Sequence, residues 1–222
     1  VKRLFLFFIL NLATYGQTRA PAYAHPDGLP PGPVQVSAEI EPQVYVTDVD
    51  LLVRMADLIV EATVKSVLPA VIVSNNGRTP LIETQSVLSV STLLFGTLPP
   101  GSQEILLTQI GGQVGRWNIV SNDAPLVQAG EYYIMFLEAD TRSTPPNVTG
   151  LPRYDVCGVW GGLVKVVEGK TQYLASAAPK LHESDGKDAD AFITSLRADQ
   201  ALKRERHHHE VDGWIRTLAM LL

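Results

Sequence analysis

The chain has a single cysteine, Cys157, so no intramolecular disulfide braces it and its fold must rest on buried apolar surface. Basic side chains are also scarce, 18 Lys and Arg against 23 Asp and Glu. That shortage argues against a nucleic-acid partner, because phosphate binding draws most of its affinity from Lys and Arg. It argues equally against an anionic membrane surface. After residue 24 no apolar run approaches the roughly 18 residues of a membrane span. Internal repeats and an alternating β-α rhythm are both missing, which points away from solenoids and doubly wound sheets.

What the chain does have, at its start, is the pattern of an export signal. Lys2 and Arg3 form a positive n-region, and Leu4 to Ala13, interrupted by Asn11, is an h-region too short to span a bilayer. Ala22-Tyr23-Ala24 places small residues where a signal peptidase reads, so residues 1–24 read as the signal and His25 as the first mature residue. Val1 reads as a GTG start codon translated literally, an expectation of a bacterial source. Removing this segment takes away Lys2, Arg3 and Arg19 and leaves 15 basic against 23 acidic side chains, a formal charge of −8. The expected location is periplasmic or extracellular.

Residues 25–43 carry Pro26, Pro30, Pro31 and Pro33 with Gly28 and Gly32, which reads as an extended, unstructured lead-in. Ordered structure is expected from about Val44. Thr47-Asp48 offers an N-cap ahead of a short helix, and Leu58 to Val67 then alternates as a strand, Ile59 apart. Asn75-Asn76-Gly77-Arg78 signals a tight hairpin. Glu83 to Phe95 and Glu104 to Ile110 read as strands, and Gly111 to about Gly130 as a polar, glycine-rich loop. Tyr132 to Glu138 is a dense apolar strand of the buried type. Residues 139–152 return to loop composition, and Glu168-Gly169-Lys170 joins a closing hairpin. From Asp188, apolar residues recur near a period of 3.6, predicting a helical segment over 187–222. The predicted fold is mainly β, a small antiparallel Greek-key (OB-like) barrel over 44–180 with a C-terminal helical appendage; an open sandwich is the alternative.

Ala56-Asp57-Leu58-Ile59-Val60-Glu61-Ala62-Thr63-Val64, followed by Leu94-Phe95-Gly96, Gly111-Gly112-Gln113-Val114-Gly115 and Gly130-Glu131-Tyr132-Tyr133-Ile134-Met135-Phe136-Leu137, resembles a group of uncharacterised exported bacterial proteins. More distantly, the opening strand is similar to the netrin-like modules of tissue inhibitors of metalloproteinases. The resemblance covers about residues 48–175 and implies an oligonucleotide/oligosaccharide-binding (OB) barrel. It does not transfer protease inhibition, because those inhibitors use an N-terminal cysteine and bracing disulfides that this chain lacks.

Five features are weighed for a chemical reading. Gly112, Gly115, Arg116 and Trp117 read as a binding lip, since glycines let a ligand approach backbone and Trp stacks on sugars or fills a partner's pocket. The competing reading is a hairpin turn whose tryptophan covers one barrel end. Cys157 reads as a buried hydrophobe, or as a nucleophile paired with His182 and oriented by Asp155 or Asp185. His207, His208 and His209 lie about 100° apart on a helix and cannot converge on one ion, so no metal site is assigned to them. Trp160 reads as core, and Asn147-Val148-Thr149 is a formal glycosylation sequon. Together these predict a non-enzymatic binding or interaction module of the bacterial envelope, without cofactor, whose ligand is a protein or glycan. The alternative is a periplasmic cysteine hydrolase using Cys157.

Overall fold

The computed structural model describes residues 9–11, 33–37, 39–41, 46–75, 79–121, 123–142, 149–158 and 161–198. Near the start, β1 (Ile9–Asn11), β2 (Val34–Ser37) and β3 (Glu39–Glu41) precede α1 (Val49–Met55). The barrel region holds β4 (Leu58–Val67), β5 (Val71–Asn75), β6 (Pro80–Phe95), β7 (Glu104–Ile110), β8 (Gly112–Val114), β9 (Trp117–Val120), β10 (Tyr132–Ala139) and β11 (Arg153–Val156). The hairpin of β12 (Leu163–Val167) and β13 (Lys170–Tyr173), a 3-10 turn at Leu181–Ser184 and a helix over 189–198, α2, complete it.

Five strands form a closed ring in the order β4-β6-β7-β11-β10 and back to β4. The barrel expected from the sequence is therefore present, and closure excludes the open sandwich. The antiparallel expectation holds at four of the five junctions. β11 runs parallel to β7, Arg153 beside Leu106 and Asp155 beside Thr108. A ring with an odd number of strands cannot alternate direction all the way round, so one junction must be parallel. The remaining strands extend this frame: β5 pairs with the start of β6, and β12–β13 adds to β10.

Alternation along the strands divides the apolar residues between two cores. Leu58, Val60, Ala62, Val64, Leu88, Ile105, Leu107, Tyr133, Met135 and Leu137 fill the barrel. Ile59, Ile134, Phe136 and Val164 face outward, where Leu52 and Val53 of α1 and Phe192, Ile193 and Leu196 of α2 cover them. This second core explains why β10 is apolar at consecutive positions and why Ile59 breaks the alternation of β4. Both helices start as the sequence predicts. Asp48 Oδ1 accepts from the Leu51 N–H at 2.9 Å, and that bond lowers the Asp48 pKa, while Asp188 Oδ1 accepts from the Ala191 N–H at 3.2 Å.

Two stretches correct the sequence reading. Residues 25–43 are not unstructured throughout, because β2 lies parallel to β9 with the Val34 N–H donating to the Arg116 carbonyl at 2.8 Å. Val36 is buried there with Ile82 and Ile119, apolar burial that the prolines around it concealed. β3 also falls in this stretch and pairs with β1. The glycine-rich segment after Gly111 is likewise not all loop, since β8 and β9 form a hairpin that joins β2 in a small sheet. Among the described residues no helix is long and apolar enough to cross a membrane.

Phe136 is fully buried between the barrel wall and the helices. Phe136→Ala is expected to cost about 3–5 kcal/mol, read as a lower denaturant midpoint. A loss below about 1 kcal/mol would mean that the helices do not seal this face.

Candidate functional site

Residues paired across a sheet share a face, so the barrel-filling positions identify the ones that point outward. Leu107 and Tyr154 are partners and both fill the barrel. The next positions therefore face out, and they form one polar row across four strands. Gln85 of β6 pairs with Thr108 of β7, Thr108 with Asp155 of β11, and Asp155 with Glu138 of β10. Glu83 lies two residues before Gln85 on the same face, and Arg153 two before Asp155.

The loop that leaves β10 brings two more charges to this face. The Arg142 guanidinium donates from Nη1 to Glu83 Oε1 at 2.8 Å, from Nε to Asp140 Oδ1 at 2.9 Å, and from Nη2 to Asp155 Oδ1 at 2.9 Å. Arg153 meets the other oxygen of Asp140, Nε to Oδ2 at 2.8 Å, and donates from Nη2 to the Arg142 carbonyl. Glu83 and Asp140 are almost wholly buried, as is Arg153, whereas Arg142 keeps 41% of its side chain exposed. Three carboxyl groups thus surround two guanidiniums.

Burial dominates the titration of this cluster. It raises the pKa of Glu83 despite Arg142 and lifts the Asp155 carboxyl to about 7. Burial also pushes on Asp140, but the hydrogen bonds from Arg142 and the nearby positive charges outweigh it and hold that carboxyl below its ordinary value. Glu138, at the end of the row, is raised by burial as well.

Beside this network lie polar atoms with nothing to bond. Glu83 Oε2, Gln85 Nε2 and Thr108 Oγ1 are buried without a hydrogen-bond partner, on residues no more than 6% exposed. Such atoms are rare in folded chains, and three on neighbouring positions of one face form a coherent feature. None of these three residues stands out in the sequence as a site. The available signal was local: Glu83-Thr84-Gln85-Ser86 is a polar run inside a strand whose flanks are apolar.

The predicted lip lies elsewhere, on β8 and β9. Gly112 has φ +118°, and a Cβ there would collide with Thr84 Oγ1 and approach the Ala70 methyl to 2.7 Å. Its lack of a side chain is thus used for close packing on β6. Gly115, at φ +57°, forms the open turn between the two strands. Trp117 packs half-buried against the small core of Val36, Ile82 and Ile119, and the Arg116 carbonyl anchors β2. Trp117 thus packs on a small core separate from the one that fills the barrel.

Cys157 is buried, and burial, then the charge and hydrogen bonding of Glu138, push its thiol pKa far upward. A nucleophilic thiol needs the opposite environment. His182 directs Nδ1 to Asp185 Oδ2 at 2.6 Å and lies edge-on to Tyr173. Trp160, Asn147 and His207–His209 lie outside the described residues. Among the described residues no group of three or more His, Cys, Asp or Glu side chains is placed to hold a metal ion.

Two predictions follow from these environments. Cys157 should resist a thiol alkylator in the native protein and react on addition of urea; rapid native labelling would reopen the nucleophile reading. For Asp155, the ordinary pKa is 3.8 and the folded value about 7, so the folded chain keeps a proton that the unfolded chain has released. Its contribution to stability therefore declines as pH rises through that window. Asp155→Asn, which stays neutral, should gain on wild type as pH rises from about 4 to about 7, seen as a widening difference in melting temperature. A difference independent of pH would show that Asp155 ionises normally.

No family model matches the chain, and no curated protein is similar to it.

Proposed function

We propose that the chain is an exported, non-enzymatic binding module, with the outward face of β6, β7 and β11 as the site for a protein or glycan ligand of the envelope. The observation that carries this reading is the group of Glu83 Oε2, Gln85 Nε2 and Thr108 Oγ1, buried side by side without partners. An unsatisfied buried polar atom costs about 1–3 kcal/mol. Apolar residues at these positions would relieve that cost, and a ligand that supplies the missing donors and acceptors also does so. The pattern is thus the expected mark of a site that trades stability for recognition.

Two further points support it. β6 and β7 are the second and third strands of the ring, the face on which OB barrels bind oligonucleotides and oligosaccharides. That analogy concerns architecture alone and assigns no ligand. The export pattern at residues 1–24 supplies the location, and the acidic mature chain disfavours nucleic acid.

Thr108→Val keeps the side chain's shape and removes the orphaned hydroxyl. It is expected to leave the fold intact and raise stability by about 1 kcal/mol; a clear loss would mean that the hydroxyl serves the fold. Heteronuclear NMR with a library of small hydroxylated, amide and charged fragments should then locate hits at Glu83, Gln85 and Thr108 in the wild type. Hits confined to Gly112–Trp117 would move the site to the β8–β9 lip.

A further inference from the structure

We infer that the acidic cluster on this face is a guanidinium site, which takes an arginine side chain from a basic segment of a protein partner and holds Arg142 until that partner binds. The inference rests on the reading of this face as a binding surface and names the partner's chemistry. Glu83 from β6, Asp140 after β10 and Asp155 from β11 all turn oxygens toward one guanidinium. Planar carboxylates arranged in this way match the fork of arginine and suit the single charge of lysine poorly.

The two guanidiniums already present differ in kind. Arg153 is buried on a barrel strand, with only 5% of its side chain exposed, so it belongs to the frame. Arg142 reaches in from the loop after β10 and remains 41% exposed, so its place can be vacated without unpairing a strand. Glu83 uses one oxygen for Arg142 and leaves the other buried and unpaired, where an incoming cation would bond. The mature chain's formal charge of −8 further favours encounter with a basic partner.

Self-occupancy has a measurable consequence. A ligand that competes with Arg142 binds only to the fraction of molecules in which Arg142 has left the carboxyl groups, and its apparent affinity falls by that fraction. The probes are N-acetyl-L-arginine amide and its neutral isostere, N-acetyl-L-citrulline amide, titrated into the wild-type protein and Arg142→Ala and followed by heteronuclear NMR. Arginine amide should shift Glu83, Gln85, Thr108 and Asp155 saturably, about tenfold more tightly in Arg142→Ala than in the wild type. Citrulline amide should leave those signals in place, and adding Glu83→Gln should weaken the arginine response.

Equal responses to the two amides, or none at these residues, would overturn the inference. Should Arg142→Ala fail to fold, the wild-type titration decides alone, since discrimination between the two amides supports the site and its absence removes it. Neutral hydroxylated fragments binding here while arginine amide does not would defeat the arginine site yet leave the binding face standing. A face that responds to neither class removes both.

Discussion

Closure of a ring of five strands is the constraint from which the rest of this structure follows. An even ring could be antiparallel throughout and joined by hairpins. Five strands force one parallel junction, here between β7 and β11, and a parallel neighbour cannot be reached by a tight turn. The chain must therefore leave β7 by a long connection, residues 111–131, and lay down β10 before β11 can return antiparallel to it and enter beside β7. The loop that joins β10 to β11 carries Asp140 and Arg142 onto the outer face of the barrel. The charged cluster is thus a product of topology, assembled from β6, β11 and the loop between β10 and β11.

The two sides of the barrel wall have opposite chemistry for a related reason. Where α1 and α2 lie against β4, β10 and β12, the outward positions are Ile59, Ile134, Phe136 and Val164, and the surface is sealed by apolar contact. On β6, β7 and β11 the corresponding positions are Glu83, Gln85, Thr108, Arg153 and Asp155. Burial of those polar groups is offset by ion pairing, which is incomplete. Buried ionic groups seldom add net stability over apolar replacements, because desolvation consumes the Coulombic gain.

Much of the framework is readable from residue patterns because the relevant forces are local. The N-caps at Asp48 and Asp188, the strands at Leu58–Val67 and Glu104–Ile110, and the tight turn at Glu168-Gly169 depend on neighbours in sequence. Glu168 and Gly169 both have positive φ, as the turn type requires. β2, β8 and β9 were hidden for the converse reason. Val34 and Val36 follow a proline-rich stretch, and β8 itself opens on the second of two glycines, so their strand character comes only from each other and from Ile82. The polar face was hidden more deeply. Arg142 and Glu83 are 59 residues apart, and nothing in either neighbourhood indicates that the two meet.

The sequence by itself determined the class of the fold, the alternation that fills the barrel, the dense apolar character of β10 and the dependence on a core without disulfides. Each rests on a period, a cap or a composition that acts over a few residues. Only the tertiary structure decided which outward positions are sealed by helices and which carry charge, that Gly112 serves packing against Thr84, and that Cys157 lies buried beside Glu138. Those outcomes depend on the register between strands and on where the loop after β10 is laid. Both are set by contacts between residues far apart in the chain, and local patterns do not encode them.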